Sequence, residues 1–225
     1  MPQLLCYRLQ PAARLIRLML AEYEIDIEIK EMRPWRRDTA YLEIDPAAEG
    51  PVLMIEDHAP IVGLTAVLMY VEENLSLTEP GRALMPATVE ARAETRRLMD
   101  WVQFKLNDEV SRYVIEEKFV RRDTGGTPDP SVLRAAKANF NEHLHYFSFL
   151  FATRRWVAGD AMTLADFALA AHISALDYLG DVPWDDVPEV KGWYQRIKSR
   201  PAFRTLLNDR IGALPAAKHY ADLDF

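Results

Sequence analysis

Apolar spacing in this chain changes period repeatedly over about the first eighty residues and then settles into a purely helical period. Leu4 to Tyr7 is an apolar run of strand length. Pro11 follows at a position suited to a first helical turn, and Ala12, Leu15, Ile16, Met19, Leu20 and Tyr23 recur at three- and four-residue intervals, the signature of a helix with one buried stripe. Ile25, Ile27 and Ile29 then alternate with Asp26, Glu28 and Lys30, which predicts a strand with one buried face. A chain that opens β-α-β and ends in helices is neither all-α nor all-β.

Past a loop over Met32 to Arg37 and a short helix around Ala40 to Glu43, Gly50 and Pro51 lead into an apolar strand from Val52 to Ile55. Asp57, His58 and Ala59 form a turn to a strand at Ile61 and Val62, and a helix over Thr65 to Glu73 closes the unit. The order β-α-β-α-β-β-α gives one mixed sheet covered by helices over residues 1–76. Prolines and a glycine mark a linker at 77–86. Helical spacing over 87–207 predicts a long bent helix from Val89 to Arg122, a second along Leu133, Ala136, Phe140, Leu144, Phe147 and Phe151, a third from Thr163 to Leu179, and a fourth from Pro188 to Ser199 stopped by Pro201. Residues 208–225 form a tail.

The balance of 27 Lys and Arg against 34 Asp and Glu, net −7, opposes general adhesion to nucleic acid or anionic lipid. The best apolar window, Leu164 to Leu179, is cut by Asp166, His172 and Asp177 and falls short of the roughly 18 residues a spanning helix needs. Arg8, Arg14 and Arg17 interrupt any export signal. With Cys6 the sole cysteine, no intrachain disulfide or cysteine-rich metal site can form, and the expected compartment is the cytoplasm. His143 and His145, two apart, face about 200° away from each other on a helix and cannot share a metal. No cofactor and no metal are expected.

Thr163-Leu164-Ala165-Asp166 reads as a capping box with Asp in the Glu position, which assigns Thr163 and Asp166 a structural role. Together with Pro188, Trp193, Tyr194, Arg196, Arg200, Pro201 and Phe203, it resembles the C-terminal half of the cytosolic glutathione transferase superfamily. Asp45-Pro46, Gly50-Pro51-Val52-Leu53 and Ala66, Val67, Tyr70, Val71 resemble that superfamily's N-terminal half. The resemblance spans about residues 4–207. It implies a thioredoxin-like α/β N-terminal domain with a cis-proline at Pro51, an all-α C-terminal domain, and a homodimer.

Against the same family, two features are missing. A Glu-Ser pair that grips the γ-glutamyl end of glutathione corresponds to Gly63 and Leu64 here, which have no group to do so, and Thr65 lies about 100° further round the helix. The catalytic hydroxyl or thiol of the first-helix start corresponds to Gln10, Pro11, Ala12, Ala13 and Arg14. Weak or absent glutathione binding is expected. Tyr7 is the surviving enzymatic option, as a thiolate stabiliser in a glutathione-dependent transferase, and otherwise a packing residue; Cys6 reads as a small buried hydrophobe.

Two segments suit a protein partner. The loop Arg33-Pro34-Trp35-Arg36-Arg37 carries the residue types that dominate binding hot spots, though Trp35 could equally fold back as a lid. The tail ends Asp222-Leu223-Asp224-Phe225, an acidic and aromatic terminus able to dock on its own domain or on a partner. The lost glutathione motif, the Trp35, Arg36, Arg37 loop and the Asp222, Asp224, Phe225 tail resemble the transferase-like cell-division proteins of alphaproteobacteria. That resemblance implies a dimer at the division site that binds filaments of the tubulin-like GTPase FtsZ, favours curved or bundled assemblies and aids constriction, with no nucleic acid and no membrane insertion.

Overall fold

The computed structural model describes residues 1–78, 83–212 and 214–225 of the chain, so part of the expected 77–86 linker lies outside the described residues. Strand β1 (Gln3–Cys6) runs parallel to β2 (Glu28–Glu31) on one side and antiparallel to β3 (Val52–Met54) on the other, and β4 (Ile61–Val62) pairs with β3, giving the order β2-β1-β3-β4. Leu4 stands opposite both Ile29 and Leu53 at the centre of this sheet and is fully buried.

Helix α1 (Pro11–Glu22) takes Pro11 as its first residue, where a missing N–H costs nothing. It ends in a left-handed closure, with Glu24 at φ 60°, its amide on the Ala21 carbonyl, and the Ile25 amide reaching back to the Leu20 carbonyl. That closure corrects the strand expected to begin at Ile25: residues 24 and 25 are spent capping α1, and β2 starts only at Glu28, whose amide bonds the Pro2 carbonyl. Likewise β1 stops at Cys6 rather than Tyr7, because the Tyr7 carbonyl already accepts the Gln10 amide in the turn into α1. Helix α2 (Thr39–Leu42), capped by Asp38, and α3 (Leu64–Thr78) complete the α/β unit.

A single helix runs over 89–123, here α4, but it is not uniform: Val89–Asp100 is α-helical, Trp101–Ser111 is widened to π geometry, and a second π stretch spans Glu116–Val120. The sequence gives a reason. Leu98, Val102, Leu106, Val110 and Val114 are all buried at intervals of four residues, a spacing that overshoots an α-helical turn by about 40° each time and would spiral off the core. Widened turns keep the row on one face. Helix α5 (Pro130–Phe151) packs beside it, and α6 (Leu164–Tyr178) runs through the middle with every residue buried. α7 (Pro188–Lys198) and α8 (Arg204–Leu207) close the bundle. Helix α1 lies chiefly against α6, so the two halves of the chain share one core.

Candidate functional site at the domain junction

The family's ligand cleft would lie where α3 begins. The Gly50–Pro51 peptide bond is cis, and the Pro51 carbonyl accepts the amide of Gly63, which sits at φ +92°. Leu64 then opens α3, and Thr65 is exposed. The two positions where the resemblance expects an acid and a hydroxyl thus carry a bare backbone and an isobutyl group. Any side chain added at residue 63 would meet open space but a strained backbone, at a cost of about 1–3 kcal/mol. The Gln10 side chain, at the α1 start, is turned onto the Glu49 carbonyl at 2.6 Å.

Beside this opening, Tyr7 is half-buried in an aromatic triad. Its ring meets Trp35 edge-on at 5.3 Å and stacks on Phe119 at 6.0 Å, while Trp35 and Phe119 cross at 5.6 Å. The Trp35 indole N–H donates to Asp123 Oδ2 at 2.9 Å, Arg33 pairs with the other carboxylate oxygen, and Arg36 approaches at 3.4 Å. The Trp35 indole and the guanidinium charges outweigh the effect of desolvation and lower the Asp123 pKa. The loop after β2 is thus clamped to the C-terminal end of α4, across the domain junction. Burial, with the nearby Glu116 and Cys6 adding to it, pushes the Tyr7 hydroxyl well above the ordinary phenol value. Cys6 is buried, and desolvation raises its thiol pKa to about 12, which leaves it a poor nucleophile. Arg36 and Arg37 point outward, the latter at φ 51°.

A second junction feature was carried by the sequence but not assembled from it. Arg14 and Arg17, one turn apart among apolar residues of α1, are both buried and converge on the buried carboxylate of Asp209. Arg17 makes bonds of 2.8 and 2.9 Å to its two oxygens, and Arg8 adds a third cation at 2.8 Å. Arg14 also donates to Ser174 Oγ and to the Tyr220 hydroxyl, both at 3.0 Å. Tyr220 belongs to the tail, so the tail is stitched to α1. Arg14 and Arg17 lie off the apolar stripe read from the sequence, so nothing local announces that they are buried and require an anion from elsewhere.

Further along the tail, Phe225 is not free. Its ring lies 4.8 Å from Trp184 and 6.0 Å from Tyr194, while Asp222 and Asp224 remain exposed. In the α6 cap, the Asp166 carboxylate accepts the amides of Thr163 and Val157 at 2.8 Å and the Trp193 indole at 2.9 Å. The Thr163 hydroxyl takes the Ala165 amide at 3.3 Å and also faces the Asp166 amide, so both halves of the capping box are formed. Burial exceeds the effect of these donors and raises the Asp166 pKa to about 6.

Residues 110–201 match the glutathione S-transferase C-terminal domain family. FtsZ-localized protein A of Caulobacter vibrioides is 40% identical over 223 residues, 97% of this chain and 96% of that one. The chain belongs to the glutathione S-transferase superfamily. Within it, this chain also superposes on the crystal structure of a glutathione S-transferase from Sinorhizobium meliloti (TM-score 0.95, 39% identity, all of both chains). It matches FzlA from C. crescentus with TM-score 0.93 at 39% identity, over 100% of this chain and 99% of that one. The fold class expected from the sequence, a small mixed α/β sheet followed by an all-helical domain, is the one these superfamily members share.

Proposed function

We propose that this chain is a noncatalytic member of the superfamily that binds FtsZ filaments as a dimer at the division site in the cytoplasm, promotes curved or bundled assemblies and supports constriction. The observation that carries the reading is its near full-length likeness to FtsZ-localized protein A. The junction geometry supports the noncatalytic part: the positions matched to the glutathione-gripping pair are Gly63 and Leu64, and Tyr7 is packed against Trp35 and Phe119.

Within this reading Trp35 anchors the loop, and the exposed Arg36 and Arg37 at its edge, with Asp222 and Asp224 on the tail, face the filament. Trp35 and the tail residues Leu214, Ala216 and Ala217 pack on the same apolar cluster as Phe119 and Tyr220, so the loop and the tail share one support. Exposed apolar side chains at Met69 on α3 and Phe104 on α4 are suited to self-association. A dimer would carry two linked sites, and linkage raises the effective concentration for the second contact. Sedimentation with GTP-assembled FtsZ tests the reading. The protein pellets only with polymer, and Arg37→Glu or Asp224→Lys reduces the apparent affinity about tenfold, or ~1.4 kcal/mol; unchanged pelleting in both variants would refute the assigned surfaces. The second reading, a glutathione-dependent transferase using Tyr7, requires retention on immobilised glutathione and loss of conjugation in Tyr7→Phe.

A further inference from the structure

Lys198, on the last turn of α7, is 1% exposed, and its ammonium nitrogen has no hydrogen-bond partner among the described residues. The nearest carboxylate oxygen, Asp177 Oδ2, stands 3.6 Å away and is shared with the Tyr194 hydroxyl, while the other Asp177 oxygen is taken by the Trp184 indole and by His219. What surrounds the ammonium is aromatic: the Phe225 ring centroid at 4.0 Å, Tyr194 at 5.5 Å and Tyr220 at 5.7 Å. Two of those three rings come from the last six residues of the chain. Phe225 is also within 5.2 Å of the Lys191 ammonium, so one ring serves two cations.

Between those two rings the chain stands off the surface. Tyr220 is 1% exposed and Phe225 is partly buried, yet Ala221, Asp222, Leu223 and Asp224 are all exposed. The intervening loop is closed on itself: the Asp222 amide bonds the His219 carbonyl at 3.0 Å, and the Asp224 amide bonds Asp222 Oδ1 at 2.9 Å. A segment pinned at both ends and braced in the middle loses less freedom on binding than a frayed terminus does.

We propose that Phe225 is a positioning residue: its ring latches onto the Lys198 ammonium and so presents Asp222, Leu223 and Asp224 as a preformed acidic loop. Its partner segment is one with cationic side chains flanking an apolar residue. The proposal rests on the tail being a filament contact, and it assigns Phe225 a role different from that of Asp222 and Asp224. The latch itself is independent of any partner, because all of its contacts lie within this chain.

Two readouts test it on the full chain. Amine acetylation read by mass spectrometry measures the latch: Lys198 is protected relative to exposed Lys218, and Phe225→Ala raises its labelling about tenfold. Phe225→Tyr keeps the ring and retains protection, and Asp224→Lys leaves Lys198 protected. Sedimentation with FtsZ polymer measures presentation: Phe225→Ala weakens pelleting although both carboxylates remain, and Phe225→Tyr does not. Unchanged Lys198 labelling in Phe225→Ala overturns the latch whatever FtsZ does. Increased labelling with full pelleting overturns the positioning role. A wild-type protein that fails to pellet refutes the filament reading and with it the role in presentation, while the labelling still decides the latch.

Discussion

Asp209→Asn replaces a carboxylate by its neutral isostere at the point where Arg8, Arg14 and Arg17 meet. Arg14 and Arg17 are 0% and 2% exposed, so solvent cannot take over the lost charge. The amide of asparagine also turns a donor towards a guanidinium that needs an acceptor. Stranding a buried cation in this way costs about 3–5 kcal/mol. A chain of this size loses about 2–4 °C per kcal/mol, so the thermal midpoint falls by about 6–20 °C. Circular-dichroism melts of both proteins at neutral pH measure this, with Asp108→Asn as the control. That carboxylate pairs with Arg112 at 3.6 Å in the open, with both side chains more than half exposed, and its loss costs about 0–1 kcal/mol. A midpoint for Asp209→Asn within the range of the control would refute the reasoning. Burial opposes ionisation of Asp209, but the Arg17 bonds and the guanidinium charges prevail and lower its pKa. The stabilisation is therefore present above the ordinary carboxylate range and is lost as pH falls through the depressed value, so the gap between wild type and variant narrows in acid.

His172 supplies a second acid-sensitive element. It bonds Ser111 Oγ at 2.8 Å, and burial, followed by the charge of His143, lowers its pKa from 6.5 to about 3. Stability is complete above pH 6.5 and declines by about 1.4 kcal/mol per pH unit as pH falls towards 3; His172→Gln removes that slope in urea titrations, and an unaltered slope would contradict the assignment. Trp35→Ala opens the junction clamp at a cost of about 1–3 kcal/mol, since the ring is only half-buried, and Asp123→Asn has the same sign; urea unfolding of both measures it, and no loss in either would mean the clamp is incidental. Cys6 resists maleimide in the native protein and reacts once the chain is unfolded in urea; rapid native labelling would contradict its burial.

Local chemistry is what the sequence announces well. Pro11 at the head of α1, the Thr163 and Asp166 cap, and the four-residue row from Leu98 to Val114 each encode their element through neighbours close in the chain. The β2 start was misplaced because the alternation of Ile25, Ile27 and Ile29 is real, while the left-handed closure at Glu24 claims the first of them. That Gly63 and Leu64 carry no acid or hydroxyl is legible directly, because the lack of a functional group at a position needs no tertiary information. The clamp was not: Trp35 finds Asp123 at 88 residues' separation, and nothing near Trp35 distinguishes an anchored indole from an exposed one. Asp209 was hidden for the same reason, 192 residues from Arg17. Phe225 could dock or bind a partner on sequence grounds, and only the Lys198 pocket distinguishes its ring from the acidic residues beside it.

The proposed function turns on Gly63 and Leu64 standing where the resemblance places a ligand-gripping pair, and on Tyr7 being packed against Trp35 and Phe119. Calorimetric titration of the full chain with glutathione tests this most directly. The account predicts no saturable heat up to millimolar ligand and the same flat trace for Tyr7→Phe. Saturable binding that is lost in Tyr7→Phe would contradict it and restore an enzyme.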